Sequence, residues 1–185
     1  MTFPVRYMSR QLFLRRPEVN DASALFRIFG DPATNKFNPA GPLADETAAR
    51  QLLDNLLSHW DKYGLGPWTV SRKSNVDEII GFGGVSYKQY GNTERINLGF
   101  RFAPSSWGNG FASELTQAAL TFAFMQKQIP EVFGLTRPQN LPSRSILEKN
   151  GMKKCGTLND VPGEPESVIY VITRQTWEEK NLCVN

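Results

Sequence analysis

The chain has 185 residues, 40% of them hydrophobic, and a formal net charge of +3, values typical of one globular domain with an ordinary core. It has no apolar run of about 18 residues, which argues against a membrane-spanning helix, and its dispersed basic residues do not favour nucleic-acid binding. Residues 1–10 lack the apolar segment of a secretory signal. The two cysteines have neither disulfide density nor metal-ligand spacing. We therefore predict one domain over residues 1–185, located in the cytoplasm, that binds no metal, nucleic acid or membrane.

The first third of the chain is predicted to hold one short strand and two helices. Residues 11–15 form the strand candidate, which Pro17 ends. A helix is predicted over residues 20–29, because Asn and Asp at its start are good N-caps. Residues 45–63 carry apolar side chains at helical spacing and predict a longer helix. The segment 30–42 between them is rich in proline and is predicted to be a loop.

The middle of the chain predicts three strands. Their candidate ranges are 67–72, 78–88 and 95–102, and the last alternates apolar and polar residues. Turn chemistry between them is supplied by Ser74-Asn75 and by Gly91-Asn92. Because the connections are short, neighbouring strands are expected to be antiparallel.

The second half predicts a central helix followed by three more strands. Apolar residues recur at helical spacing over 111–125. Strands are predicted over 132–136, 153–156 and 168–173, and the first of these is expected to run parallel to 95–102 by a right-handed crossover. The predicted fold is therefore α/β, with a mixed, mostly antiparallel sheet of about seven strands and helices on both faces.

A glycine-bearing turn joins the strand 95–102 to the central helix. Its sequence is Trp107-Gly108-Asn109-Gly110-Phe111-Ala112. Backbone N–H groups and the positive end of the helix dipole would converge there, which suits a phosphate group. A Walker A loop would need Lys after a glycine, and a dinucleotide fingerprint would need a third glycine where Ser113 stands. Neither pattern is complete.

The turn resembles the acetyl-CoA loop of the GNAT superfamily, Q/R-x-x-G-x-G/A, and most of all the W-G-x-G-x-A form of its ribosomal-protein N-acetyltransferase branch. Ser105 stands where the general pattern has Gln or Arg. A second segment, residues 140–152, resembles the family signature N-x-x-S followed by Glu-Lys-x-Gly-Phe, with Met152 in place of Phe. The resemblance covers roughly residues 10–178.

This resemblance implies a GNAT fold in which a splayed pair of parallel strands holds acetyl-CoA. It implies transfer of acetyl to a primary amine by direct attack in a ternary complex. The acceptor is expected to be a protein N-terminal α-amine or a small-molecule amine, and the enzyme a monomer or homodimer. The alternatives are a non-catalytic CoA-binding regulatory module and a nucleotide- or NAD-binding domain.

The resemblance also assigns residues to the cofactor. The strand end would pair with the pantetheine amides, the turn would hold the pyrophosphate, and the start of the second segment would contact the pantetheine arm or only cap a helix. Trp107 would contact the cofactor or pack beneath the turn. The predicted cofactor-binding residues are Phe102, Ala103, Trp107, Gly108, Asn109, Gly110, Phe111, Ala112, Asn140 and Ser143.

Two residues are predicted to take part in catalysis. Ser143 matches a serine that protonates the CoA thiolate in relatives; no Tyr lies between positions 133 and 155 to do so, and water is the alternative. Asn97 stands where related enzymes have a Glu base, and it could only position a water. The base is therefore unassigned. The candidates considered are Glu94, His59, Asp160, Glu164 and Glu166.

Other conspicuous residues are interpreted from their position in the predicted elements. His59 is expected to be a packed or half-buried structural residue, Trp60 and Phe122 to belong to the core, and Cys155 to be buried in a short strand. The loop after the first helix faces the acceptor in relatives. The predicted substrate-binding residues are Phe37, Asn38 and Trp68.

Overall fold

The structure, a computed structural model, describes residues 6–182. Among these residues no helix is both long and apolar enough to cross a membrane. The strands are β1 Arg6–Met8, β2 Leu12–Arg15, β3 Pro67–Arg72, β4 Asn75–Tyr90, β5 Thr93–Phe102, β6 Glu131–Thr136, β7 Lys153–Leu158 and β8 Ser167–Thr173. The helices are α1 Ala22–Phe29, α2 Glu46–Tyr63, α3 Phe111–Thr121, α4 Leu141–Lys149 and α5 Arg174–Leu182, and a π-helical turn, Phe122–Gln126, follows α3.

The strands form a mixed sheet in the order β1-β2-β3-β4-β5-β6-β8-β7. The pairing of β5 with β6 is parallel, with Asn97 opposite Phe133 and Leu98 opposite Gly134. The pairs β1–β2, β2–β3, β3–β4, β6–β8 and β7–β8 are antiparallel. The predicted α/β class and mixed, mostly antiparallel sheet are confirmed.

Within residues 6–182 the sheet has eight strands, against about seven predicted. The additional strand is β1, whose Met8 lies opposite Phe13 of β2. Three residues are too few to show a strand's alternation, so the pattern gives no signal for it. The helix α5 was also not predicted; its Trp177 ring lies 5.5 Å from the ring of Phe124.

The described residues group into two compact units, and each packs its own interior. The first comprises residues 6–84 and 100–115, and the second residues 85–99 and 116–182. Buried residues of the second unit include Val132, Phe133, Leu147, Met152 and Tyr170. The core of the first unit contains Leu25, Ile28, Ala49, Leu53, Ile79, Phe82 and Ala103.

The longest helix, α2, shows why these segments fold locally as they do. The Asp45 carboxylate accepts a hydrogen bond from the Ala48 N–H at 2.8 Å, and Gly64 ends the helix at a φ of 62°. The first contact satisfies a helix N–H that would otherwise lack a partner. The second places a glycine where the left-handed conformation is needed. Both ends of α2 were therefore readable from sequence.

The structural roles expected of individual residues are mostly confirmed. Phe122 is buried, and His59 is half-buried with its ring 4.7 Å from that of Tyr63. Trp60 is partly buried and donates its indole N–H to the Pro67 carbonyl at 2.8 Å. The prediction for Cys155 was wrong, because this residue is exposed. Its strand, β7, is at the edge of the sheet, where fewer neighbours cover it.

Candidate active site

Phe102, the last residue of β5, and Ala103 directly after it orient their backbone groups differently. The Ala103 N–H donates to the Ile80 carbonyl of β4 at 2.8 Å, and the Ala103 carbonyl accepts from the Ser106 N–H at 2.9 Å. Successive residues of a strand direct their N–H and C=O groups to opposite sides. The backbone groups of Phe102 therefore point away from β4. Of the two predicted pantetheine contacts, only Phe102 has its backbone directed away from the neighbouring strand.

The side chain of Trp107 is bound to this strand end. It is 52% exposed, and its indole N–H donates to the Phe102 carbonyl at 3.0 Å. A carbonyl oxygen has two lone pairs, so this bond leaves room for one more donor. Trp107 thus lies against the strand end and not beneath the turn.

The two glycines of the turn 107–112 adopt a left-handed backbone conformation. Gly108 and Gly110 both have a φ of 77°, and a Cβ atom at either position would meet no atom within 4 Å. Glycine is thus favoured at both positions by conformation and not by lack of space. The Asn109 amide donates to the carbonyls of Ser106 and Trp107, at 3.1 and 3.0 Å, which closes the turn on itself.

A diphosphate fits the surroundings of this turn. The turn leads directly into α3, and a helix N-terminus attracts anions through its N–H groups and its dipole. The open space above Gly108 and Gly110 leaves room for a ligand. In addition, the buried Ser106 hydroxyl has no hydrogen-bond partner among the described residues. These features are consistent with the predicted pyrophosphate site.

A carboxylate in the first turn of α3 fixes this helix to the β1–β2 connection. Glu114 accepts hydrogen bonds from the Ser9 hydroxyl (2.6 Å), the Gln11 N–H (2.6 Å), the Gln11 side chain (2.9 Å) and the Leu12 N–H (3.3 Å). Burial acts to raise the pKa of Glu114, but these hydrogen bonds outweigh it and lower the pKa below its ordinary value. The helix that follows the turn is therefore held by an ionised carboxylate.

In the second unit, Asn97 is held by a buried tyrosine. The Tyr90 hydroxyl donates to the Asn97 amide oxygen at 2.6 Å, and the two side chains are only 5% and 8% exposed. Burial raises the pKa of Tyr90 well above its ordinary value, so the phenol stays protonated. The oxygen of Asn97 is oriented by this bond, and its NH₂ group can donate to a water or a carbonyl.

Asn140 and Ser143 lie at the beginning of α4. The Asn140 amide oxygen accepts a hydrogen bond from the Ser143 backbone N–H at 3.2 Å, so Asn140 is the N-cap of the helix. Helix capping was one of the two roles considered for it. Because the cap uses the backbone of Ser143, its hydroxyl is not needed for capping.

A partly exposed polar network holds α4 on the sheet. The Tyr170 hydroxyl of β8 donates to Glu148 at 2.6 Å and accepts from Arg144 Nε at 3.0 Å. Arg144 also donates to the Pro138 carbonyl at 3.1 Å. The Asn140 cap and the bonds of Arg144 therefore both hold the first turn of α4, which carries Ser143.

The predicted acceptor-binding residues are in the first unit. The Asn38 amide donates to Asn35 at 2.9 Å and to the Gly41 carbonyl at 2.8 Å, so it closes its own loop. Phe37 is half-buried. Trp68 is only 4% exposed, and its ring lies 6.4 Å from that of Tyr7. In this structure, Trp68 is thus covered by neighbouring aromatic residues.

Sequence reasoning missed two residues beside this loop, Arg101 and Asn35. The Arg101 guanidinium donates to the Asn35 amide oxygen at 2.8 Å and lies 4.4 Å from the centre of the Phe29 ring. The two residues are 66 positions apart in sequence. The one feature of the sequence that could have pointed to Arg101 is its charge, because its neighbours in β5 are mostly apolar.

The candidates for a base remain dispersed. Asp160 forms an ion pair with Arg137 at 3.2 Å, and Glu166 accepts a hydrogen bond from Thr157. Glu94 and Glu164 are exposed. The general base stays unassigned.

Comparison with known proteins gives the family. The sequence model described as the acetyltransferase (GNAT) domain matches residues 11–153. A Bacillus licheniformis protein named uncharacterized N-acetyltransferase p20 is 27% identical, over 82% of this chain and 84% of the relative.

Solved structures show the same fold. A GNAT-family acetyltransferase from Bacillus anthracis superimposes with a TM-score of 0.76, at 22% identity, over 92% of this chain and 99% of the other. The ribosomal-protein-S5-alanine acetyltransferase from Vibrio fischeri gives a TM-score of 0.72, at 18% identity, over 94% and 98%. The match to the family model covers most of the chain and both signature segments. This chain belongs to the GNAT acetyltransferase family and is an acyltransferase.

Proposed function

We propose that this enzyme transfers acetyl from acetyl-CoA to a primary amine that is a protein N-terminal α-amine or a small-molecule amine. The observation that carries the cofactor assignment is the turn 107–112. Its two glycines adopt a φ of 77° with open space above them, directly before α3. Backbone N–H groups at such a position suit a diphosphate, which acetyl-CoA supplies.

The proposed reaction is a single displacement at the thioester. The lone pair of the neutral amine attacks the carbonyl carbon, a C–N bond forms and the C–S bond breaks. The amine loses one proton, and the CoA thiolate takes one up. The products are the N-acetyl amide and CoA. The protein's contribution is to orient the two reactants and to provide for the two proton transfers.

The residues proposed to hold acetyl-CoA follow from the geometry of each unit. In the first unit, the turn 107–112 binds the pyrophosphate, and the Phe102 backbone, more than that of Ala103, pairs with a pantetheine amide. In the second unit, Asn140 contacts the pantetheine arm through the NH₂ group that capping leaves available. Both units together are proposed to act as one N-acetyltransferase domain.

Two side chains are proposed to act on the reacting groups. The Ser143 hydroxyl, which α4 does not need for its cap, donates a proton to the thiolate. Asn97, oriented by Tyr90, uses its NH₂ group to orient a water that relays the amine proton. Ser143 regains its proton from solvent after donating, and the water at Asn97 passes the amine proton to solvent, so both side chains end the reaction neutral.

Phe37 and Asn38 are proposed to line the acceptor site and are called the acceptor wall below. Trp68 is proposed to support this wall from within the core. The name of the Vibrio fischeri structure supports testing peptide N-termini alongside small amines. A cytoplasmic location is also proposed, because the sequence has only two cysteines and no disulfide pattern.

The test is release of free CoA thiol from acetyl-CoA, followed with a thiol reagent. Peptides with free N-termini form one panel, and small primary amines form the other. Acetylated product with matching thiol release supports the proposal. The alternative, a non-catalytic CoA-binding module, predicts acetyl-CoA binding with no amine-dependent release in either panel, and that result would refute the proposed activity.

A further inference from the structure

Arg101 carries a positive charge into the interior of the first unit. Its side chain is partly buried, with one guanidinium nitrogen 2.8 Å from the Asn35 amide oxygen. The guanidinium carbon lies 4.4 Å from the centre of the Phe29 ring. Both partners are electrically neutral. The contacts orient the cation without balancing its charge.

No carboxylate of residues 6–182 forms an ion pair with Arg101. Two other partly or largely buried arginines do have such partners. Arg15 pairs with Asp21 at 2.7 Å, and Arg137 with Asp160 at 3.2 Å. Burial lowers the pKa of Arg101, which is the sign of a desolvated cation. A partly desolvated cation whose partners are all neutral favours the binding of an anion.

Asn35 cannot supply that charge, but it does hold the guanidinium in place. Its NH₂ group donates to the Phe29 and Asp31 carbonyls, both at 2.8 Å. Its oxygen accepts from both Asn38 and Arg101. Only one nitrogen of Arg101 is thereby used, and its Nε and second Nη have no acceptor among the described residues. A guanidinium fixed on one side is well arranged for a planar, two-oxygen anion on the other.

The position of Arg101 indicates which molecule brings the anion. It directly precedes Phe102, whose backbone is assigned to pantetheine under the proposed function, on which this inference rests. Neighbouring side chains of a strand point to opposite faces. Phe102 is buried, whereas Arg101 contacts Asn35, which is itself bonded to Asn38 of the proposed acceptor wall. The cation therefore belongs to the acceptor side of the strand.

We propose that Arg101 binds a carboxylate carried by the acceptor amine, and so selects acidic acceptors. The carboxylate can come from an ω-amino acid or from an acidic side chain near a peptide N-terminus. The recognising chemistry is the same in both cases. The acceptor pairs used in the test distinguish these two sources.

The test compares matched acceptors that differ only in charge. One arm uses a series of ω-amino acids of graded length and their carboxamides, and the other uses peptides beginning Ala-Glu and Ala-Gln. In the native enzyme, the KM of the matching carboxylate acceptor should be about 10- to 100-fold lower than that of its amide, as expected for a charged hydrogen-bonded pair. Arg101→Gln should abolish this difference and leave the KM for acetyl-CoA unchanged. Arg101→Lys should keep part of it.

Arg27→Gln is the matched control. Arg27 lies on α1 and, like Arg101, donates to a neutral oxygen in the first unit, here the Ile79 carbonyl at 2.7 Å. It is exposed, so removing it should leave the carboxylate preference intact. A purely structural role of Arg101 predicts instead that Arg101→Gln weakens the carboxylate and amide acceptors equally.

Binding of the N-acetylated products to the CoA-loaded protein provides a measurement that needs no turnover. The carboxylate product should bind the native protein more tightly than its amide, and Arg101→Gln should remove the difference. If this holds while no amine is acetylated, the proposed function fails and the inference stands. If neither assay shows a carboxylate preference, or if Arg101→Gln retains it, the inference is overturned.

Discussion

Replacing Glu114 by Gln tests how the helix after the glycine turn is held. The change keeps the shape of the side chain but removes the charge that accepts four hydrogen bonds from Ser9, Gln11 and Leu12. In glutamine, an NH₂ group replaces one of the two carboxylate oxygens, and there it would face the NH₂ group of the Gln11 side chain. Losing the charge assistance of these bonds should cost about 2 kcal/mol in free energy of unfolding. For a chain of this size, that corresponds to a fall in Tm of about 4–8 °C.

The pH dependence of the effect has a definite sign. The folded-state pKa of Glu114 is below its ordinary value of 4.5. A lowered carboxyl pKa contributes stability that is fully present above the unfolded-state pKa and is lost as the pH falls through the folded-state pKa. The difference in stability between native protein and Glu114→Gln should thus be constant near neutral pH and shrink progressively below pH 4.5.

The assay is thermal or urea unfolding of both proteins from pH 7 downward. Glu178→Gln is the control, because Glu178 pairs with Arg174 at 2.7 Å on α5 in a partly exposed i,i+4 bridge. Such a bridge contributes only about 0.3–0.5 kcal/mol. If Glu114→Gln lowers Tm no more than this control, or if its effect is as large in acid as at pH 7, the proposed anchoring of α3 is wrong.

Three further changes test the groups of the second unit. Tyr90→Phe removes the hydroxyl that donates to the buried Asn97 oxygen, so the free energy of unfolding should fall by about 1–3 kcal/mol. The kcat should also fall while the KM for acetyl-CoA stays unchanged, and an unchanged kcat would rule out the orienting role. Ser143→Ala should lower kcat by at least about 10-fold if its hydroxyl is the acid, with little change in Tm; equal kcat values would leave water as the acid. Asn140→Ala should remove the α4 cap and cost about 1 kcal/mol, seen as a lower Tm; no loss would show that the cap is dispensable.

The sequence predicts best those features that depend on neighbouring residues. The limits of α2 follow from an Asp and a Gly next to its apolar stripe, and the turn at Gly108 and Gly110 follows from the need for a positive φ. The strand β1 is too short to show a pattern. Cys155 was predicted to be buried from its residue type and its place in a short strand. Neither reveals that β7 lies at the edge of the sheet.

Contacts between distant segments could not be predicted in this way. Arg101 meets Asn35 across 66 positions and Glu114 meets Gln11 across 103 positions. These pairs depend on how strands and helices are placed, and not on any local period. The family resemblance predicted the cofactor loop and the roles of Asn140 and Ser143. The neutral surroundings of the Arg101 guanidinium became visible only in the structure.

The most direct test of acetyl-CoA binding at the turn is thermal unfolding with acetyl-CoA, CoA, NAD and ATP. At about 100 times its Kd, a ligand adds about 2.7 kcal/mol to the stability of the folded state. Gly110→Asp would place a negative charge where the pyrophosphate is expected. Gly91→Asp is the matched control, since Gly91 also has a positive φ, of 61°, but precedes β5. We expect stabilisation by both CoA ligands, lost in Gly110→Asp and kept in Gly91→Asp. Stabilisation by NAD or ATP alone, or equal CoA binding by both variants, would contradict the assignment of acetyl-CoA to this turn.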